Sequence, residues 1–182
     1  MTPVGHTLMG ATIGVLCLPE KKSARWKAGY FTAFALLPNL PDWPLTYWGH
    51  DRYTISHSLF VNLLLSFLAL VFLAWRPDVR HRIGGAVVLV GAVAAWLSHL
   101  ILDSFYNYGG GVSIFWPFSG VSLALPIPWF SVVPPAPPIT LAHLQGYAIE
   151  FISYFPLILL AYTLRRAGIT ERLARAVSGA AK

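Results

Sequence analysis

The chain has 182 residues, of which 56% are apolar and only 11% charged, with a mean hydropathy of +0.61. Its length suits one domain, and its composition excludes an ordinary soluble globule and predicts a membrane protein. The net charge of +6 does not point to nucleic acid, because the basic residues sit in short clusters beside apolar runs, as membrane topology requires.

Five apolar segments follow one another, at residues 4–18, 28–41, 57–75, 83–105 and 140–164. The last three have the length of a bilayer crossing. The first opens on "MTPVGHTLMG", which lacks the basic start of a cleaved signal peptide. It also holds the single cysteine, Cys17, which reads as a small buried hydrophobe and excludes an intrachain disulfide. The second runs into "LLPNLPDWP", whose prolines end a helix. Between the fourth and fifth lies "NYGGGVSIFWPFSGVSLALPIPWFSVVPPAPP", too broken for a helix and too apolar for a linker. It is expected to pack at the membrane interface.

The expected fold is therefore all-α: a polytopic membrane bundle of about five transmembrane helices, with a Gly/Pro-rich interfacial loop and a basic C-terminal amphipathic helix. Residues 1–164 form the membrane-embedded domain and 165–182 a basic cytoplasmic tail, where Ile169, Leu173 and Val177 recur at steps of four. Basic loops stay on the cytoplasmic side. With five crossings and the N-terminus outside, "EKKSARWK", "RPDVRHR" and the C-terminal run all fall inside, with twelve of the 13 Lys and Arg. Only Arg52 is left outside. The expected location is the inner, cytoplasmic membrane, with the C-terminus in the cytoplasm.

On that topology the polar residues of the apolar segments fall into one outer layer, roughly 18 to 32 Å from the cytoplasmic edge at 1.5 Å per residue. His6 starts the first segment, Asp42 ends the second and His57 starts the third; His99 and Asp103 end the fourth, and His143 and Glu150 lie early in the fifth. Ionisable groups at membrane depth are costly and normally face a cavity or one another. Imidazole and carboxylate are the ligands of catalytic zinc, where three protein groups leave a position for water. His99 and Asp103, at i and i+4, share one helix face and offer two ligands from one rigid element. His57 is the third strong candidate. His50, beside Asp51 and Arg52, reads as solvated, and His81 belongs to a cytoplasmic basic cluster. Neither HExxH nor GxSxG is present, so metal-activated water is a better candidate nucleophile than a side chain.

In order and spacing, four motifs resemble those of the bacterial and archaeal membrane-bound metal-dependent hydrolases. That family includes the YdjM-like proteins described as LexA-binding, inner-membrane-associated hydrolases. The motifs are "GHTLMGATIG" with His6, "LLPNLPDWP" with Asp42, "DRYTISHSLF" with Arg52, His57 and Ser58, and "HLILDSFYNYG" with His99 and Asp103. The family is considered distantly related to zinc-dependent phospholipase C and the single-strand-specific zinc nucleases. The resemblance implies that His57, His99 and Asp103 hold one divalent ion, Zn2+ above all, with Asp42 as base or further ligand. It also implies that His6 serves a second ion bridged by Asp103. The soluble enzymes' His-x-x-x-Glu pair has its counterpart in His143 and Glu150, whose seven-residue separation argues against a third ion. Asn39 stands where the family carries an acidic residue.

The expected activity is hydrolysis of a phosphoester or lipid-derived substrate at the outer face of the membrane, with membrane lipids as partners and no nucleic acid. Asp42 takes the water proton and Arg52 holds the substrate anion. No motif supports LexA binding. Two other classes use the same ligands or the same burial: a metal-binding transporter or chaperone, and a non-catalytic scaffold. A transporter needs polar groups along the inner half of its helices, where only Asn62 and Ser66 are evident.

Overall fold

Local signals in the sequence set most of the helix boundaries. Helix α1 (Pro3–Cys17) starts at Thr2, whose Oγ1 accepts from the Val4 N–H at 3.2 Å. Proline at the next position loses no helical hydrogen bond. Helix α2 (Ala24–Leu36) is capped by Ser23 and tightens into a 3-10 turn, Leu37–Asn39, where the prolines begin. A second such turn, Ile55–His57, leads through the cap Ser58 into α3 (Leu59–Trp75). Pro77 then opens α4 (Pro77–Ile83), and the chain bends by 107° between the two. Gly84, at φ +112°, closes α4 in the left-handed conformation that favours glycine. Helix α5 (Ala86–Ser104) follows, and α6 (Leu141–Arg166) starts with Thr140 and His143 capping each other's backbone. The computed structural model describes residues 2–19, 22–42, 55–106, 111–125, 127–130 and 139–170. Arg52 and the amphipathic run beyond residue 170 lie outside them.

Helix α1 is central, packed against α2, α5 and α6. Small residues allow the close approach. A Cβ at Gly10 would meet the Phe34 carbonyl oxygen, and one at Gly14 would press on the Phe34 side chain. Gly91 of α5 likewise makes room for the Cys17 sulfur. Gly10 and Gly14 thus form a small-xxx-small contact of the kind that joins membrane helices.

The apolar and polar faces are inverted relative to a soluble protein. Asn62 and Ser66 are buried on α3, whereas Leu64 and Phe67 of the same helix are 56% and 60% exposed. His57, His99, Asp103 and Glu150 are also buried. A greasy exterior around a polar interior is the arrangement that lipid favours.

Of the five expected crossings, two or three are evident among the described residues. Two helices, α5 with 19 residues and α6 with 26, are long and apolar enough to cross, and α3 with α4 makes a third if the broken pair is one span. Helix α1 has 15 residues and α2 13; at 1.5 Å each they reach about 22 and 20 Å, short of the ~30 Å hydrocarbon core. Apolarity marked these segments, but the prolines and the polar cap at Ser23 cut them short.

The interfacial loop is anchored to the protein. Val112 and Leu123 form an isolated antiparallel bridge. Ser58 Oγ donates to the Trp116 carbonyl at 2.6 Å, the Leu59 N–H to Ile114 at 2.8 Å, and the Leu125 N–H to Ser104 at 2.7 Å. The described loop thus bridges the start of α3 and the end of α5. At the opposite end, Trp26 Nε1 donates to the Arg82 carbonyl at 3.3 Å and Arg165 to that of Val15 at 3.2 Å. That end carries Lys22, Arg25, Lys27, Arg76, Arg80, Arg82, Arg165 and Arg166. Because α6 runs from one end to the other, reporters at Ser119 and Gly168 are expected on opposite sides of the membrane, with Gly168 cytoplasmic by the positive-inside rule. Labelling of both from the same side would overturn this orientation.

Candidate metal centre

The converging ligands arise on four separate pieces of chain, all at the end away from the basic residues. On α5 the buried stripe runs Val88, Gly91, Ala95, His99, Asp103. Its small members let α1 approach, and its last two carry the chemistry. On α1 the stripe His6, Gly10, Gly14 is buried in the same way. Asp42 follows the turn after α2, which Asn39 fastens by donating from Nδ2 to Thr7 Oγ1 at 3.2 Å and to the Ala35 carbonyl at 3.1 Å. The Asn39 amide is therefore a tether between α2 and α1. His57 ends the turn before α3, fixed by Asn62, whose Nδ2 donates to the Ser56 and Ser58 carbonyls at 2.7 and 2.8 Å. Trp96 Nε1 in turn donates to Asn62 Oδ1 at 2.6 Å.

These pieces bring one ligand atom each from Asp42, His57, His99 and Asp103 within 4.8 Å of one another. Asp103 is the hub. Its Oδ2 lies 3.0 Å from His57 Nε2 and 3.6 Å from His99 Nε2, and its Oδ1 lies 3.4 Å from His6 Nε2. Asp42 Oδ1 is 3.4 Å from His99 Nε2. The His99 ring stands between those of His6 and His57, with centroids 4.9 and 5.1 Å away. Ser56 Oγ, 3.2 Å from His57 Nδ1, occupies the other nitrogen of that ring, as happens for metal-bound imidazoles.

The separations carry a chemical message. Hydrogen bonds from nitrogen to oxygen reach about 3.2 Å, so contacts of 3.4 to 3.6 Å are too long. Ligands bound at about 2.1 Å to one ion lie roughly 3.0 Å apart in octahedral and 3.4 Å in tetrahedral geometry. Four nitrogen–oxygen pairs, at 3.0 to 3.6 Å, fall near those spacings, the shortest of them, His57 Nε2 to Asp103 Oδ2, being also a hydrogen bond. His6 Nε2 and both His99 nitrogens are buried with no hydrogen-bond partner among the described residues. Such orphaned atoms are costly, on the order of 1–3 kcal/mol each, and a cation removes that cost for the nitrogens aimed at it. Asp42 and Asp103 bring two carboxylates together here, and one divalent ion matches the charge of the pair when both are ionised. The residues fit a metal ion.

A model of the YdjM inner membrane protein family matches residues 1–170. The chain belongs to that family. Membership agrees with the lipid-facing exterior and establishes a membrane protein. No curated protein and no solved structure matches the chain.

Of the sequence-derived candidates, His6, Asp42, His57, His99 and Asp103 converge, and Arg52 lies outside the described residues. Among the described residues, the group of possible metal ligands does not include His143 or Glu150. His143 Nδ1 is 2.8 Å from Thr140 Oγ1 and accepts from the Thr140 N–H at 3.1 Å, closing the cap of α6. Glu150 accepts from Thr2, Gly5 and Tyr106. Their seven-residue spacing placed them on one helix but said nothing about which neighbours each would meet. Sequence reasoning missed Asn62 and Trp96 as supports of His57. The available signal was an asparagine inside an otherwise apolar helix, since such a residue normally has a partner across the helix interface.

Proposed function

We propose that the protein is an integral membrane metal-dependent hydrolase acting on a phosphoester or lipid-derived substrate at the outer face of the membrane. The observation that carries the reading is the meeting of buried His6, His57, His99 and Asp103 with partly exposed Asp42, nitrogen and oxygen 3.0 to 3.6 Å apart. A divalent cation, Zn2+ by ligand type, supplies when bound a water of lowered pKa and neutralises charge on phosphoryl oxygens. The chain's own residues do the rest. His57, His99 and Asp103 hold the ion. His6 serves the far side of Asp103. The Asp42 carboxylate accepts the water proton, and Arg52, the basic residue placed outside by the charge pattern, holds the substrate anion. The exposed apolar side chains around this end keep a lipid within reach: Phe118 is 78% and Leu141 70% exposed.

The test uses the full chain purified in detergent. Metal analysis is expected to find a divalent ion, and hydrolysis of a phosphodiester, a phosphomonoester or a phospholipid is expected to stop with chelator and return with Zn2+. Bound metal with no turnover in any of the three classes would leave a metal-holding protein and overturn the hydrolase reading.

Asn62 offers a sharper check, because it supports the His57 turn without reaching the cluster itself. Asn62→Leu keeps the branching at Cγ but removes the donor to the Ser56 carbonyl and the acceptor of the Trp96 N–H. Loss of comparable supports around metal ligands weakens metal binding about 10- to 100-fold, and that drop is expected in a Co2+ titration. Unchanged affinity would remove Asn62 from the support of the site.

A further inference from the structure

Glu150 is a carboxylate on a membrane-spanning helix, 1% exposed and outside the metal cluster. An intramembrane carboxylate is kept at a cost, so its partners are informative. Oε1 accepts from the Thr2 N–H at 2.9 Å and from the Tyr106 hydroxyl at 2.8 Å. Oε2 accepts from the Gly5 N–H at 2.8 Å and from the Thr2 hydroxyl. Four donors engage the roughly four acceptor sites of an ionised carboxylate, which leaves no lone pair for a cation. Two of those donors are backbone N–H groups at the start of α1, which have no partner within their own helix. The negative charge also sits at the positive end of the helix dipole.

The residue after Gly5 is His6. Its Nε2 faces Asp103 Oδ1, while Oδ2 of the same carboxylate faces His57 and His99. Asp103 thus divides the cluster into two sides, and α1 supplies the histidine of one of them. We infer that Glu150 is a positioning residue: by clasping the first turn of α1 from α6, it sets His6 against Asp103 and governs metal binding on that side. The inference rests on the metal-centre reading for its effect on binding, and on hydrogen-bond geometry alone for its effect on His6.

Glu150→Gln is the discriminating change. Whichever way the amide is turned, its NH2 group meets one backbone N–H, either that of Thr2 or that of Gly5, and neither can accept. Tyr106→Phe is a milder second variant that removes one donor and leaves the carboxylate, should the first fail to fold. Co2+ affinity of the purified full chain is measured for wild type, Glu150→Gln, His6→Ala and the double variant. We expect Glu150→Gln to lower affinity about 10- to 100-fold, the range for supports of metal ligands, and to have no further effect once His6 is alanine. An equal loss with and without His6 would mark a general structural role and overturn the proposal, as would no loss at all. Nitrogen resonances of labelled histidine in the metal-free protein supply a readout independent of binding: His6 is expected to shift in Glu150→Gln and Tyr106→Phe, while His57 stays. If wild type takes up no Co2+, the metal reading fails, and the His6 resonance alone decides the clasp. An unmoved His6 would refute it.

Discussion

His99→Ala is expected to empty the protein of its divalent ion and to destabilise it, while His81→Ala does neither. His99 is fully buried at 0% exposure, between the His6 and His57 rings, with Nε2 near both Asp42 and Asp103. Removing it takes a ligand from the centre of the group and leaves two carboxylates facing the gap. The loss in affinity should exceed the roughly 100-fold ceiling seen for supporting residues. An ion that binds only the folded chain adds its binding free energy to folding; at 100 times its Kd it adds about 2.7 kcal/mol. Chelator should therefore lower the Tm of wild type and leave that of His99→Ala unchanged. His81 is exposed on α4 at the basic end, so its variant should respond to chelator as wild type does. Equal metal content in wild type and His99→Ala would sink the ligand assignment.

The part of the site legible in the sequence is the part encoded by periodicity and charge. His99 and Asp103 share a face because the helix repeats every 3.6 residues. The ends of the bundle were distinguishable because the basic clusters alternate with the polar-residue ends of the apolar segments. What the sequence hid depends on backbone donors and on helix length. Glu150 resembled a ligand because its partners are two N–H groups and two hydroxyls, none of which a search for metal-binding side chains considers. Asn39 looked like a defect in an acidic motif and is instead the link that holds the Asp42 turn to α1. The five-span expectation is least supported at α1 and α2 for a related reason: apolar composition shows that a segment avoids water, whereas crossing also requires length.

Asp42 separates catalysis from metal holding, and Asp42→Asn is expected to keep the ion and lose hydrolysis by about 10² to 10⁴-fold, the usual contribution of a positioned general base. Its side chain is 20% exposed, against 0% for His99 and 4% for Asp103, so among these three it alone retains access from outside. That is where an incoming water has to be met. Asparagine preserves the shape and one carbonyl oxygen beside His99, and His57, His99 and Asp103 remain to hold the ion. What disappears is the negative charge and the ability to take a proton. Metal content per chain and the rate on the best phosphoester substrate, measured on the same preparation, decide the matter. Joint loss of metal and activity would make Asp42 a ligand instead of a base. Retention of both, at the full rate, would remove it from the chemistry altogether and leave the proposed hydrolysis without its proton acceptor.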